Sequence, residues 1–205
     1  MTETRRLYYE DVYKKEFTAT VVECRERKKG YAIILDESAF YPEGGGQPSD
    51  VGTLGDAKVT EVHEKDGELL HYTDKALEVG VKVEGKIDWT RRFDLMQQHS
   101  GEHMVSGIIH AKYGYDNVGF HMGGDVLTVD LNGMLDEAQL AEIEQEVNER
   151  VWEDKEVQIT YPTAEELQAL DYRSKKELTG QVRIVTFPGV DVCACCGTHV
   201  THTGE

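Results

Sequence analysis

The 205-residue chain carries 22 Lys and Arg against 39 Asp and Glu, a formal net charge of −17, with 39% hydrophobic residues. That apolar share supports ordinary cores in one large or two small domains, and no run approaches the ~20 apolar residues of a membrane helix. The acidity argues against a surface that binds nucleic acid broadly, DNA included, and Met1-Thr2-Glu3-Thr4-Arg5-Arg6 leads into no apolar secretory segment, so a cytoplasmic protein is expected.

Residues 1 to 88 read as mostly β. The runs Glu16–Cys24, Gly30–Asp36, Ala57–Lys65 and Val81–Asp88 are rich in β-branched residues with partial alternation. Asp66-Gly67 is a hairpin signal between two such runs. Several short strands with no strong helix pattern suggest a small β-barrel. Inside this segment lies Phe40-Tyr41-Pro42-Glu43-Gly44-Gly45-Gly46-Gln47-Pro48-Ser49-Asp50. Its three glycines suit either a tight structural loop or main-chain N–H groups that approach a substrate. No Gly-Lys-Ser/Thr follows, so a nucleotide P-loop is not indicated.

The spacing predicts a long helix from about Thr90 to just before the breaker Gly114. Phe93, Met96, Met104, Val105, Ile108 and Ile109 form its apolar face, with a His pair along the margin. Residues 117 to 131 read as a hairpin around Met122-Gly123-Gly124-Asp125. A second helix, 136 to 152, is expected to bury Leu140, Ile143, Val147 and Val151 and to expose Glu142, Glu144 and Glu146 as a solvated face. Strands at Glu156–Tyr161 and Gln181–Phe187 flank a short helix whose capping-box signal is Thr163-Ala164-Glu165-Glu166. The fold expected is therefore α+β in two domains. Residues 1–88 form a small barrel with a Gly-rich loop, and 89–205 form a two-layer domain of helices on an antiparallel sheet.

Chemistry concentrates in two stretches far apart in the chain. Gln97-Gln98-His99-Ser100-Gly101-Glu102-His103 places two imidazoles four residues apart on one helix face. Cys195-Cys196-Gly197-Thr198-His199 offers a thiol and an imidazole at the same separation. A lone H-x-x-x-H pair is commonly just a solvated or hydrogen-bonded pair. The second pair, within a cluster of three cysteines and a histidine, points instead to a tetrahedral N/S site of the kind zinc prefers. The expected ligands are His99, His103, Cys195 and His199. Spacing favours Cys195, while Cys193 and Cys196 stay open as alternatives. Such crowded thiols suit a reduced compartment better than a disulfide framework. A metalloprotease would place Glu directly after the first His; here stands Ser100. Glu102 is tempting as a base, although a charged residue on a helix surface is the commoner case. Basic residues that could meet phosphate are Arg25, Arg27, Lys28 and Lys29, then Arg91 and Arg92, then Arg173, Lys175 and Lys176, each more often part of a solvated face.

Three stretches, FYPEGGGQPSD from Phe40 to Asp50, RRFDLMQQHSGEHMVSG from Arg91 to Gly107 and VCACCGTHVTHTGE from Val192 to Glu205, resemble the alanyl-tRNA editing proteins called AlaX in their medium-length form. These are free-standing relatives of the editing domain of alanyl-tRNA synthetase, with the threonyl enzyme's editing domain more distant. The resemblance implies a zinc-dependent esterase, with one ion per chain, acting in trans on mischarged tRNA. It would cleave serine from the acceptor end of alanine tRNA, with glycine left open as a second substrate and with no membrane or DNA partner. His99, His103, Cys195 and His199 match the family's metal positions. The metal either activates water or anchors the substrate, and the general base is not identified. Gln98, Gly119, His121 and Asp130 are neighbours that could line the pocket, and Gly44, Gly45, Gly46 and Gln47 a substrate-facing loop. The family usually continues beyond Thr203-Gly204-Glu205 with further strands, so a C-terminally truncated domain with an exposed sheet edge is expected. The rival reading is a non-catalytic zinc-stabilised module that binds tRNA or protein. A hydrolase of another small ester or amide is a third.

Overall fold

A strand buried on one face alternates, and Glu16–Glu26 does: Phe17, Ala19 and Val21 are buried between exposed or half-buried neighbours. The computed structural model describes residues 3–122, 126–174 and 180–205. It divides into two compact units, Met1–Leu95 and Met96–Glu205. Among the described residues no helix is long and apolar enough to cross a membrane.

The first unit runs β1 (Arg5–Arg6), α1 (Leu7–Glu10), β2 (Glu16–Glu26), β3 (Tyr31–Leu35), β4 (Glu37–Ser38), β5 (Gly52–Leu54), β6 (Ala57–Lys65), β7 (Glu68–Thr73) and β8 (Lys82–Ile87). Six strands, in the order β2-β3-β7-β6-β5-β8, close into a barrel. Every pairing around it is antiparallel. Closure satisfies both edges of the sheet. Phe17, Ile33, Leu35, Leu54, Val62 and Leu69 are among the residues filling the interior. The expected barrel is borne out, with corrections in its wiring. Asp66-Gly67, both at positive φ as a type I′ turn requires, joins β6 to β7. The segment of β7 had not been expected as a strand, because Leu69, Leu70 and His71 are all buried and its alternation is lost. β5 is three residues long, too short to show a period.

The long helix α2 (Trp89–Tyr113) leads into the second unit and ends where expected. Gly114 takes φ +66° and donates its N–H to the His110 carbonyl at 2.9 Å, which satisfies one of the helix's terminal carbonyls. There follow β9 (Asn117–Met122), β10 (Leu127–Leu131), α3 (Glu137–Trp152), β11 (Gln158–Thr160), α4 (Ala164–Ala169), β12 (Ile184–Phe187) and β13 (Asp191–Ala194). β9 and β10 form the expected hairpin; Gly123, Gly124 and Asp125 of its turn lie outside the described residues. β11, β12 and β13 make a separate antiparallel sheet in that order, so two small sheets replace the single one expected. The Thr163–Glu166 capping box forms at α4, and Asp136 with Gln139 builds another at α3.

Two expectations for α3 fail. Leu140 is 52% exposed, since α3 fully buries only Ile143 and Leu140 sits in its first turn, away from that contact. The acidic face is also not merely solvated: Lys112 reaches Glu142 and Glu146 at 2.7 Å each.

Candidate metal centre

Leu95, Met96, His99, Ser100, His103 and Met104 recur at helical spacing along α2, and all six are buried. The His pair therefore does not lie on the margin of the apolar face, as the sequence suggested, but within it. His99 and His103 are each 2% exposed, with ring centroids 5.3 Å apart. β13 delivers the other half. The chain leaving it places Cys195 and His199 against the helix, and the His199 ring lies 4.4 Å from that of His99 and 4.7 Å from that of His103.

Cys195 Sγ stands 3.5 Å from His99 Nε2 and 3.4 Å from His199 Nε2. The four ligand atoms of His99, His103, Cys195 and His199 all lie within 4.8 Å of one another. Donors bound at about 2.0–2.3 Å to one tetrahedral zinc stand about 3.3–3.6 Å apart. The two thiol–imidazole separations already meet that requirement, and the remaining pairs need only small closure. The cluster can thus hold a metal ion. Of the three cysteines, Cys195 belongs to this group; Cys196 is exposed. Cys193 joins His103 and Asp191 in a second, overlapping group.

Protonation states fit the same purpose. Burial alone would raise the Cys195 thiol, but the charges of His99 and His199 and hydrogen bonds from His103 and His199 outweigh it and hold the group well below its ordinary value. Burial, followed by the charge of His99, pushes His199 down to about 3. His103 is shifted the other way: burial lowers it, but hydrogen bonds to Asp191, Cys193 and Cys195 outweigh that and hold it well above its ordinary value. A thiolate is the state a soft divalent ion binds, and an ion taking His103 would displace the proton that the ring shares with Cys195.

Around the donors stands a shell that the sequence did not reveal. His103 Nδ1 lies 2.8 Å from Asp191 Oδ2, and Arg173 donates to the same carboxylate from Nε at 2.7 Å and Nη2 at 2.8 Å. Ser100 Oγ lies 3.4 Å from His199 Nδ1 and accepts the Val200 N–H at 3.1 Å. Arg183 donates from Nη1 to the carbonyls of Cys195 and Gly197, at 2.7 and 3.1 Å, bracing the ligand loop. Phe120 stacks on His99 and Phe187 on His103, with centroids 5.3 and 5.4 Å apart. The sequence singled out Arg173 only as a residue that could meet phosphate, and Asp191 not at all, because the two meet His103 only through the fold.

The remaining site candidates are dispersed. Gln98 is half-buried on α2, beside His99 in the chain. His121 is exposed on β9, where alternation puts it opposite in sense to Phe120. Asp130 pairs directly with Gly119, and a Cβ on that glycine would come within 2.5 Å of the Asp130 carboxylate. Glu102 is not a surface residue as expected. It is buried and accepts hydrogen bonds from Ser106 Oγ at 2.6 Å and from Asn117 Nδ2. It ties α2 to β9. In the first unit Gly44 and Gln47 exchange both main-chain hydrogen bonds, at 3.1 and 3.0 Å, across Gly45 and Gly46. The φ values of +62° and +88° at those two explain why glycine stands there. Gly45 and Gly46 are exposed and Gln47 is buried.

Most of the basic candidates are already engaged. Arg92 is wholly buried against Asp50, Arg173 holds Asp191, and Arg25 pairs with Glu23 and Glu68. Arg27 lies over the Tyr72 ring at 3.5 Å. Lys175 and Lys176 lie outside the described residues.

Residues 2–91 match the family described as tRNA synthetases class II (A), and 182–205 match the threonyl and alanyl tRNA synthetase second additional domain. Mouse alanyl-tRNA editing protein Aarsd1 is 33% identical over 213 residues, covering 95% of this chain and 52% of the relative. Alanyl-tRNA editing protein AlaX-L of Pyrococcus horikoshii is 35% identical, covering 98% and 52%. The alanine–tRNA ligase of Methanobrevibacter smithii is 38% identical, covering 99% and 24%. The chain spans about half the length of the editing proteins it matches. With this likeness running along nearly its whole length, the chain belongs to the alanyl-tRNA editing protein family, related to the editing domain of alanyl-tRNA synthetase.

Proposed function

We propose that the chain is a trans-acting aminoacyl-tRNA deacylase. It hydrolyses the ester that joins serine, and also glycine, to the terminal adenosine of alanine tRNA, in the cytoplasm and with one zinc ion per chain. The observation that carries this is the convergence of two sequence-distant pairs, His99 with His103 and Cys195 with His199, to separations one ion can bridge. Membership of the editing family supplies the substrate class. Because the chain spans about half of those relatives, the activity is proposed for this segment on its own. In this reading residues 1–88 are the barrel domain with its Gly-rich motif and 89–205 the zinc-binding editing domain.

When bound, zinc supplies a Lewis acid, polarising a carbonyl oxygen or making a water more acidic. The chain's own residues do the rest. His99, His103, Cys195 and His199 hold the ion, Arg183 fixes the loop that brings the last two, and Phe120 and Phe187 shield the imidazoles from water. Cys195 is the one residue of the four that is only half-buried, and the acceptor end is proposed to approach from its side of the cluster. Within the second unit Gln98 and His121 are proposed to contact it; the Gly44, Gly45, Gly46 and Gln47 turn of the first unit is proposed, separately, to meet the tRNA. The support is that Gln98 adjoins a ligand in the chain, His121 is exposed, and Gly45 and Gly46 are exposed at the tip of their turn.

One observation favours a second reading. Four protein donors complete a tetrahedron, and closed sites are usually structural. Metal analysis combined with deacylation of Ser-tRNA and Gly-tRNA bearing the alanine acceptor stem separates the two. His103→Ala should lose the ion and essentially all hydrolysis. Turnover that persists without metal would refute a metal mechanism. A wild-type protein that unfolds on chelation yet never turns over either substrate would establish the structural module.

A further inference from the structure

An imidazole can bind a metal through either nitrogen, so something must commit it. At His103 two donor groups compete for the same ring. The four-donor cluster contains His103, and so does the buried triad of His103, Asp191 and Cys193. Asp191 Oδ2 lies 2.8 Å from Nδ1, the distance of a charge-assisted hydrogen bond. With its proton on Nδ1, the ring offers Nε2 alone as an acceptor. Asp191 in turn is not free to rotate or to take a cation. Arg173 grips both carboxylate oxygens in a fork, Nε to Oδ1 at 2.7 Å and Nη2 to Oδ2 at 2.8 Å. The Asp191 side chain is 2% exposed and that of Arg173 14%, so water competes little for these bonds.

Main-chain bonds anchor the pair. Arg173 donates its N–H to the Val192 carbonyl at 2.8 Å, and Ala194 donates to the Arg173 carbonyl at 2.9 Å. A parallel bridge thus lays Arg173 along β13, opposite Cys193. Gly107 of α2 lets Asp191 approach the helix, since a Cβ there would meet the Val190 carbonyl at 2.5 Å and Asp191 Cβ at 2.7 Å.

We propose that Arg173 and Asp191 are a positioning pair for the metal centre: Asp191 commits His103 Nε2 to the four-donor cluster, and Arg173 fixes Asp191 for that task while keeping it from serving the competing triad. The proposal rests on the reading that the cluster binds a divalent ion, and it is independent of which ester is hydrolysed. Partners of this kind orient metal-bound histidines, and their loss typically weakens metal affinity by about 10–100-fold.

The test measures Zn²⁺ affinity and stoichiometry by competition with a chromophoric chelator, with Co²⁺ spectra reporting coordination geometry. The wild-type chain is compared with Asp191→Asn, Arg173→Met, Arg173→Lys and the double variant Asp191→Asn/Arg173→Met. Ile143→Ala serves as a control that loosens the same unit away from the cluster. Each of Asp191→Asn and Arg173→Met should bind Zn²⁺ about 10–100-fold more weakly and shift the Co²⁺ bands. The double variant should lose little beyond the worse single one, because the two act as a unit. Arg173→Lys should recover only part of the loss, since an ammonium cannot supply the fork. Ile143→Ala should lower the unfolding midpoint and leave affinity unchanged. If Ile143→Ala weakens binding as much as the others, the effect is general loosening and the proposal fails. Unchanged affinity and Co²⁺ spectrum in both single variants, with the wild type loaded, would also overturn it and leave the metal reading intact. A wild type that takes up no Zn²⁺ would bring down the metal reading and the pair together.

Discussion

Two buried polar residues of the first unit show how single side chains set stability without any part in chemistry. His71 is fully buried. Its Nδ1 lies 3.0 Å from the Ile33 carbonyl and its Nε2 2.8 Å from Ser38 Oγ, so a neutral ring satisfies both, donating from Nδ1 and accepting at Nε2. Burial lowers its pKa from 6.5 to about 4, opposed by the Ile33 hydrogen bond. Between those values the unfolded chain binds the proton and the folded one does not. The stabilisation is therefore complete above pH 6.5 and is lost as pH falls through 4, about 3 kcal/mol in all. His71→Gln keeps a donor and an acceptor without the titration. Urea unfolding of the variant from pH 7.5 to 4 should show a shallower loss than wild type, and parallel curves would contradict the assignment. Arg92 presents the opposite case, a buried charge held by a full set of partners. It donates to Asp50, to the Ala39 carbonyl at 2.8 Å and to the Val12 carbonyl at 3.1 Å, and Asp50 also accepts the Tyr41 N–H at 2.6 Å. Arg92→Met leaves that carboxylate buried and unpaired, so denaturant titration should show a loss of about 3–5 kcal/mol.

Among elements, α2 decides most. Its mid-section is packed nearly all round, and Gly107 marks the tightest approach. Replacing a helical glycine by alanine ordinarily gains about 1 kcal/mol. Here the new methyl would meet main chain at Val190, and forcing atoms into a filled site costs about 1–3 kcal/mol. The clash wins. Gly107→Ala should lower the unfolding midpoint and, by displacing Asp191, weaken Zn²⁺ binding in the same chelator assay. Much at this scale was legible in the sequence, where local pattern and tertiary demand coincide. The alternation of Glu16–Glu26, the Asp66-Gly67 turn, the capping box at Thr163 and the breaker Gly114 each act within a few residues, and each forms. The grouping of the candidate metal donors was legible because a helix fixes the His pair's separation by itself. The depth of their burial was not, since it depends on what β12 and β13 bring against α2. Leu140 failed for the same reason: the helical period was right, but the partner surface stops short of it. The hold of Arg173 on Asp191, and of Asp191 on His103 across 88 residues, has no local signature.

At the scale of the molecule, the proposed function requires a chain of net charge −17 to meet a polyanion. Three of the arginines expected to meet phosphate are spent on internal partners, Arg92 on Asp50, Arg173 on Asp191 and Arg25 on Glu23 and Glu68. Lys28, Lys29 and Arg91 remain exposed. With two or three phosphates neutralised, counterion release gives a slope of about −0.9 per contact in log affinity against log salt, which is about a 10–40-fold loss between 50 and 200 mM. A footprint of 6–10 contacts would lose about 10³–10⁵ over the same range. The small slope follows if recognition resides in the amino acid and the terminal ribose held near the cluster, with the acidic surface discouraging prolonged contact elsewhere. Filter binding of Ser-tRNA to a metal-free preparation, repeated across that range, reads the slope without turnover. Lys28→Ala with Lys29→Ala should flatten it by up to about two contacts. A slope unchanged by that double substitution would remove the turn between β2 and β3 from the binding surface. Affinity independent of salt would mean that no phosphate is contacted at all.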